Sequence, residues 1–299
     1  MTNAMYNQID SNKRKTNILI AIFFAFIIGI AYFIDYYYQM GYGLVVFAVI
    51  FASISALVSY YKGDKIALAS TGAKAIEKKD NPYVYRMVEN LCIASGIPMP
   101  KVHIIDSPAM NAFATGRDPE HASIALTTGI ISALENEELE GVIAHELSHI
   151  KNFDIRLMTI VVVLVGTISI IGNWFLRWQF YGGRRSSDSK GGGQLQLILF
   201  VVGIVFMILS PIIAEVIKMA ISRKREFLAD ASGALMTRYP EGLARALEKI
   251  SSSKPDPKLS NSATAHLFIS NPLKGKRMTK WFSTHPPIEE RVNKLRNSI

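Results

Sequence analysis

Four apolar stretches, each close to the length that a helix needs to cross a bilayer, constrain this chain more than any other feature of its sequence. About 20 apolar residues in a helix span the hydrocarbon core of a membrane. The stretches cover residues 17–38, 44–61, 157–176 and 195–217. A mean hydropathy of +0.21 and only 19% charged residues are also too apolar for two ordinary soluble domains. The sequence therefore predicts four membrane-spanning helices.

Charged residues beside the first two stretches predict how they are oriented. Lys13, Arg14 and Lys15 precede the first stretch, and the cytoplasmic flanks of membrane helices carry an excess of Lys and Arg. Residues 36–42, between the two stretches, contain neither and are expected outside. The first stretch is longer than the apolar core of a signal peptide, and no small-residue cleavage site follows it. We therefore expect residues 1–61 to form a cytoplasmic tail and two transmembrane helices.

The polar parts of the chain form two pieces, residues 62–156 and residues 218–299. Neither piece looks like a complete core, but together they have the size of one ordinary domain. We therefore expect both pieces on the cytoplasmic side, where they form a single domain. Residues 157–217 would interrupt that domain as a transmembrane hairpin.

The connection within this hairpin, residues 182–193, leaves its insertion open. It is rich in Gly and Ser, and it contains Arg184, Arg185 and Lys190. If both spans cross fully, these basic residues lie outside, against the positive-inside tendency. A hairpin that only dips into the bilayer is the alternative.

Charge and cysteine content exclude two broad classes of protein. The net charge is +9, but the basic residues are dispersed and no recognition motif accompanies them, so nucleic-acid binding is not indicated. The single cysteine, Cys92, cannot form an intramolecular disulfide. The polar domain is therefore expected in a reducing compartment rather than among disulfide-stabilised secreted proteins.

Local signals in the first polar piece predict a small sheet followed by helices. The predicted elements are a helix over 82–94 and strands over 101–106, 111–116 and 123–131, with a polar turn at 117–121. A further helix is expected to begin at Asn136, with glutamates in its first turns where the helix dipole favours them. It meets no Gly or Pro before Gly166, so we expect it to run straight into the third apolar stretch.

The segment His145-Glu146-Leu147-Ser148-His149 is the strongest chemical signal in the sequence. Histidines four apart project from one face of a helix and can hold one Zn²⁺, with Glu146 directed at the open coordination position. Such an ion lowers the pKa of a water toward about 7, and the glutamate can take its proton during attack on a peptide carbonyl. A pair of ordinary surface histidines is the alternative, but the apolar neighbours Ile143 and Ile150 do not suit a solvated face.

A catalytic zinc site of this kind needs a third protein ligand. The chain has Asn152 and Ile155 where a metzincin-like arrangement would have Gly and His. Asp154 stays open as a ligand, although its spacing on a continuing helix would turn it away from the metal. Glu226 is the better candidate. Asp230, one turn beyond it, can accept a hydrogen bond from a ligand histidine and so fix its tautomer.

Four separated motifs resemble those of the M48 family of membrane metallopeptidases, and the resemblance covers nearly the whole chain. They are Asn111-Ala-Phe-Ala-Thr-Gly116, His145 to His149 followed by Asn152-Phe-Asp154, Glu226 to Asp230 followed by Ala231-Ser-Gly233, and Thr284-His-Pro-Pro-Ile-Glu-Glu-Arg291. The resemblance implies an α+β, mainly helical fold, with four membrane spans and a split zincin-like (gluzincin) metalloprotease domain in the cytoplasm.

The resemblance also implies roles for individual residues. One Zn²⁺ per subunit would be held by His145, His149 and Glu226, with Glu146 as general base and Asp230 behind the ligands. Residues expected to line the cleft, hold the substrate backbone and stabilise the oxyanion are Asn111, His285 and Arg291. Apart from the resemblance, residues 111–115 have the pattern of an edge strand that could bind an extended peptide by strand addition.

By the same resemblance, the protein would be a multi-pass enzyme of the bacterial inner membrane that takes part in the stress response and in protein quality control. Its expected partners are the lipid bilayer and misfolded membrane proteins or unfolded polypeptides, cleaved at cytoplasmic segments, and no nucleic acid.

The sequence also argues against two other functions. Intramembrane proteolysis would place the His-Glu motif in lipid, but the polar residues 135–140 directly precede it. A zinc transporter or scaffold should carry ligands midway along its spans. The polar residues of the apolar stretches lie near their ends instead, at Asp35, Asn173, Glu215 and Lys218.

Overall fold

The computed structural model describes residues 2–38, 41–182, 223–261, 263–272 and 286–297. The helices are α1 (Thr2–Tyr38), α2 (Gly43–Ser70), α3 (Pro82–Ser95), α4 (Thr128–Ala133), α5 (Asn136–Lys151), α6 (Asp154–Gly182), α7 (Arg223–Thr237), α8 (Pro240–Ser252) and α9 (Ile288–Arg296), and the strands are β1 (Lys74–Ala75), β2 (Lys101–Ile105), β3 (Ala112–Gly116) and β4 (Ala122–Thr127). Short 3-10 helices lie at Pro119–His121 and Pro257–Leu259. The predicted fourth span, residues 195–217, and His285 lie outside the described residues.

The four strands form one small sheet in the order β1-β2-β4-β3. Strands β2 and β4 are parallel, whereas β3 runs antiparallel to β4 with Phe113 opposite Ala125. The predicted strand 123–131 is too long, because residues from Thr128 onward belong to α4. The side chain of Thr127 accepts a hydrogen bond from the backbone N of Ile130 and so starts that helix. In this strand order, β3 lies at one edge of the sheet.

Helix α3 confirms the prediction for residues 82–94 and shows why it ends. Asn81 caps its N-terminus by accepting from the backbone N of Val84, and Pro82 occupies the first turn. Gly96 follows its last turn with a φ of +67°, a conformation that favours glycine. The predicted helix from Asn136 is likewise present as α5.

Helix α5 lies at the centre of the polar domain. Residues 141–150 are all buried, and their apolar members join a core that also includes side chains of α3, the sheet and α8. A Cβ atom at Gly141 would lie 2.8 Å from the backbone N of Leu243, so the close approach of α8 to α5 requires glycine there. The apolar neighbours of the His-Glu motif are thus core residues.

The prediction that α5 runs straight into the third apolar stretch is wrong. Helix α5 ends at Lys151, α6 begins at Asp154, and the two are bent by 83°. Phe153 lies in the left-handed region with a φ of +57°, a costly conformation for a bulky residue. The cationic groups of Lys13 in α1 and Arg156 in α6 each lie 5.2 Å from the centroid of its ring. These contacts stabilise a turn that neither glycine nor proline marks in the sequence.

Helices α1, α2 and α6 form the apolar part of the described structure. By length and composition, two described helical segments, Ile9–Phe33 and Gly43–Ser70, can cross a bilayer, and a third counts only if α5 and α6 are taken as one bent span. Small residues let α2 approach α6 closely, since a Cβ on Gly63 would lie 2.7 Å from Thr159 Cγ2.

The third predicted span is helical, but its first residues serve the protein core. The buried apolar members of α6 in this part are Leu157, Met158, Ile160, Val161, Val162, Val163, Leu164 and Val165. Several of them pack with residues of α1 and α2. A long apolar run can therefore be satisfied by protein contacts as well as by lipid. Full insertion of the third and fourth stretches stays a prediction.

Candidate metal centre

Three predicted ligands meet where α5 faces α7. The Nε2 atoms of His145 and His149 are 3.2 Å apart. Glu226 approaches them with its two carboxylate oxygens, Oε2 at 3.9 Å from the first imidazole nitrogen and Oε1 at 3.7 Å from the second. All three side chains are buried. Among the described residues, this is the one group of three or more ligand side chains whose donor atoms converge in this way.

The donor set fits a zinc ion. Tetrahedral zinc with bonds of about 2.0–2.1 Å places neighbouring ligand atoms about 3.3 Å apart, close to the spacing of the three donors. A small adjustment of Glu226 would complete the match. Two imidazoles and one carboxylate are also the ligand types of catalytic zinc sites that keep a fourth position open.

Each histidine has a carboxylate on the opposite side of its ring. Asp230 Oδ1 lies 2.9 Å from Nδ1 of His145, and Asp154 Oδ2 lies 3.0 Å from Nδ1 of His149. These carboxylates favour the tautomers that carry the proton on Nδ1 and leave Nε2 free to bind a metal. The expected position of Asp230 behind a ligand is therefore present.

Asp154 is a partner of His149 that the sequence reasoning missed. A continuing helix would have turned this carboxylate away from the metal, but the bend after α5 returns it to the ring of His149. The Asn152-Phe-Asp154 motif was visible in the sequence. The position of Asp154 beside His149 depends on the turn at Phe153, which neither glycine nor proline marks.

Arg291 is completely buried beside the proposed ligands, with Nη2 3.5 Å from Nε2 of His145. Its guanidinium donates two hydrogen bonds to Asp230, at 2.8 Å and 2.6 Å, and its Nη1 lies 3.7 Å from Glu226. Although burial alone would raise it, the Arg291 charge holds the pKa of Asp230 at about 2. The guanidinium thus keeps Asp230 ionised beside His145. Contact between Arg291 and substrate stays a prediction.

Glu146 is buried beside the ligands. Burial is the main reason that its pKa is raised to about 7, and it outweighs the opposite effect of the His149 and Arg291 charges. A hydrogen bond from the backbone of Ala114 in β3 also favours the ionised form. The Glu146 side chain therefore lies between the metal ligands and the edge strand.

The outer edge of β3 is already bonded near both ends. The backbone N of Ile269 donates to Ala112 O at 3.0 Å, and Gly116 N donates to Thr159 Oγ1 at 3.0 Å. The carboxamide of Asn111 exchanges two hydrogen bonds with the backbone of Ser270, at 2.8 Å and 3.2 Å. Peptide binding along this edge, and substrate contact by Asn111, would require these bonds to open.

The two ligand histidines differ in their affinity for protons. Burial lowers the pKa of His145. Burial by itself also lowers the pKa of His149, but its hydrogen bond to Asp154 and the charge of Glu226 outweigh this and raise that pKa to about 9. A metal ion binds only neutral imidazole, so it must displace a proton from His149 at neutral pH.

Zinc affinity should therefore fall about 100-fold between pH 8 and pH 6. Below a pKa of about 9, each unit of pH raises the proton competition at His149 about tenfold. The measurement is competition for zinc with a chelator of known proton affinity at both pH values. Asp154→Asn removes a charge that raises this pKa, so the variant should show a shallower dependence. An affinity independent of pH would contradict the protonation of His149.

Comparisons with known proteins point to one family. Residues 78–299 match peptidase family M48. A protein named protease HtpX homolog from Dictyoglomus thermophilum is 46% identical over 296 residues, which cover 97% of this chain and 94% of that protein. A protein of the same name from Streptococcus uberis is 41% identical over 298 residues, 98% of this chain and 99% of that protein.

Among solved structures, the S. mikatae Ste24p crystal structure has a TM-score of 0.49 and 20% sequence identity, covering 94% of this chain and 65% of that chain. The family match spans most of the chain, and the relatives match over nearly its full length. Two apolar helices fit a membrane protein. The chain therefore belongs to peptidase family M48, as an HtpX-like membrane metalloprotease.

Proposed function

We propose that this protein is a zinc metalloendopeptidase that cleaves membrane proteins and unfolded polypeptides at cytoplasmic segments. The observation that carries the proposal is the convergence of His145, His149 and Glu226, with Glu146 beside them. When bound, Zn²⁺ supplies a Lewis acid that polarises the scissile carbonyl and lowers the pKa of the attacking water.

Glu146 moves the proton in this proposal. Its ionised carboxylate takes the proton of the attacking water and then gives it to the nitrogen of the leaving amine. A pKa raised to about 7 suits both transfers near neutral pH, because neither form is strongly disfavoured. Asp230 and Asp154 meanwhile hold the two imidazoles in the orientation that ligation requires.

Substrate binding is proposed along β3. Ala114 lies between the two bonded ends of this edge strand, and its backbone faces Glu146. An extended peptide that paired with the strand there, after the hydrogen bonds at its two ends had opened, would have its carbonyl groups close to the base. Asn111, Arg291 and His285 are proposed to hold the substrate backbone and the oxyanion, once Asn111 has released Ser270.

The described contacts support an active site at the cytoplasmic face of the membrane. The polar start of α1 reaches the bend beside the site, where Lys13 Nζ lies 5.2 Å from the ring centroid of Phe153. The site and the basic N-terminal segment therefore share one side, and positive residues favour the cytoplasm. A site at this surface suits cleavage of membrane-protein segments, and protein quality control in a bacterial inner membrane is the role we propose.

Hydrolysis of casein by the full-length protein purified in detergent tests the proposal. Cleavage should appear with Zn²⁺, disappear when a chelator removes the ion, and return when zinc is added again, because the ligands cannot act without it. Cleavage that is insensitive to the chelator would contradict zinc dependence. Zinc binding without hydrolysis would favour a transporter or scaffold instead.

A further inference from the structure

Asn12, in the polar start of α1, lies inside the side-chain network that surrounds the candidate zinc site. Its Nδ2 donates to Asp154 Oδ1 at 2.6 Å and to the backbone O of Asn152 at 3.1 Å. Its Oδ1 accepts from Arg225 Nη1 at 3.2 Å. Only 1% of its surface is exposed. Residues distant in sequence thus meet at one buried amide.

Through Asp154, this amide reaches a proposed metal ligand. One oxygen of Asp154 faces the amide of Asn12, and the other faces Nδ1 of His149. The contact to Asn12 fixes the rotation of the carboxylate and hence the direction of its other oxygen. The opposite end of the amide binds Arg225, whose neighbour along α7 is the third proposed ligand, Glu226.

The chemistry of the contacts selects an amide at position 12. Its environment offers a carboxylate that needs a donor and a guanidinium that needs an acceptor. A carboxamide supplies both from one short side chain, whereas an aspartate would present an oxygen to Asp154. A buried amide without such partners would be costly. The environment of Asn12 is therefore matched to its two ends.

We propose that Asn12 is a positioning residue of the protease, which holds Asp154 in the orientation that aims His149 at the metal. The inference rests on the zinc site proposed above, and it adds the start of the first membrane helix to that site. Asn12 lies outside residues 78–299, the part of the chain that matches the peptidase family. The ligand geometry then depends on how α1 is seated against the bend between α5 and α6.

Asn12→Ala should weaken zinc binding about tenfold, the lower end of the range for groups that orient metal ligands. It should lower kcat to a similar extent and change KM little, because no contact to substrate is lost. Zinc affinity is measured by chelator competition in the full-length protein in detergent, and turnover on casein-derived peptides. Thr16→Val is the matched control. Thr16 is equally buried one turn along α1, and its hydroxyl has no hydrogen-bond partner among the described residues.

A double-mutant cycle separates positioning from a general effect on folding. If Asn12 acts through Asp154, then Asn12→Ala should change zinc affinity less than about twofold in an Asp154→Ala background. Additive losses would show that it acts elsewhere and would overturn the proposal. So would unchanged zinc affinity and kcat in Asn12→Ala.

Asn12→Asp with Asp154→Asn covers the case in which the alanine variant does not fold. The single Asn12→Asp variant keeps the shape but sets two carboxylate oxygens together, so it should lose zinc affinity. The swap lets the amide now at position 154 donate to the carboxylate at position 12 and still accept from His149, so part of the affinity should return, while the lost hydrogen bond to Asn152 O keeps the recovery incomplete. A swap no better than Asn12→Asp would overturn the proposal. If wild-type cleavage were insensitive to chelator, the zinc proposal would fail instead, and the two failures are distinguishable.

Discussion

Glu146→Gln is expected to lower kcat on the order of 10³-fold or more. The amide has nearly the same shape as the carboxylate but cannot accept a proton from water, and a positioned base contributes about 10²–10⁴-fold to such reactions. Zinc affinity should change far less, since the assigned ligands are His145, His149 and Glu226. Steady-state peptide hydrolysis and zinc titration of the same purified sample make the comparison.

The matched control is Glu137→Gln on the same helix. Glu137 lies exposed in the first turn of α5, so losing its charge should leave turnover close to that of the wild type. Substantial hydrolysis by Glu146→Gln would exclude this residue as the base. Loss of zinc together with activity would indicate that the substitution damages the site rather than the proton transfer.

Glu226→Ala is expected to weaken zinc binding by about 10²–10³-fold, more than Asp154→Ala does. Zinc-binding free energies of about 10–16 kcal/mol, shared among three or four ligands, place roughly 3–4 kcal/mol on each. The variant would also remove one of the two carboxylates near the guanidinium of Arg291, which lies 3.7 Å from Glu226 and stays paired with Asp230. Asp154 acts on the ion only through His149, which it orients and whose pKa it raises, and losing such a group typically costs about 10–100-fold.

Zinc content after equilibration against a chelator buffer measures both variants, with thermal unfolding as the check on folding. Glu248→Ala is the control, because Glu248 is an exposed carboxylate paired with Arg296 at the surface, where ion pairs contribute little. A greater loss in Asp154→Ala than in Glu226→Ala would reverse the assignment of ligand and orienting residue.

The sequence predicts the helix-borne parts of the candidate metal site well, because the information for each part is local. His145 and His149 share one helix face whatever surrounds them, and a charged pair such as Glu226 and Asp230 is conspicuous after an apolar stretch. Helix α3 is equally predictable from the sequence, since proline and glycine mark its ends. In each case a short stretch of chain specifies the geometry by itself.

The features that could not be predicted from the sequence depend on contacts between residues that are distant along the chain. The bend at Phe153 has no glycine or proline to signal it, and cations from α1 and α6 hold its ring. Asp154 cannot be assigned before that bend is known. The contact of Asn12 with Asp154 joins residues 142 positions apart, a separation at which periodicity and spacing carry no information.

Hydropathy alone also overstates what can be said about lipid. Residues 157–176 have the length and composition predicted for a membrane segment, yet the structure buries residues 157–165 within the protein. An apolar side chain removed from water gains similarly from protein and from lipid. Composition therefore identifies α1 and α2 as spans more securely than it identifies α6.

The division of the metal site between α5 and α7 has a consequence for biosynthesis. When the ribosome has completed α5, the nascent chain holds both imidazoles, but Glu226 and Asp230 are still to be translated. Arg291, which holds Asp230, follows a further 61 residues along the chain. In the proposed site, hydrolytic capacity therefore cannot arise before α7 and α9 have been translated. The membrane helices α1 and α2 can thus be inserted into the bilayer before the proposed active site is complete.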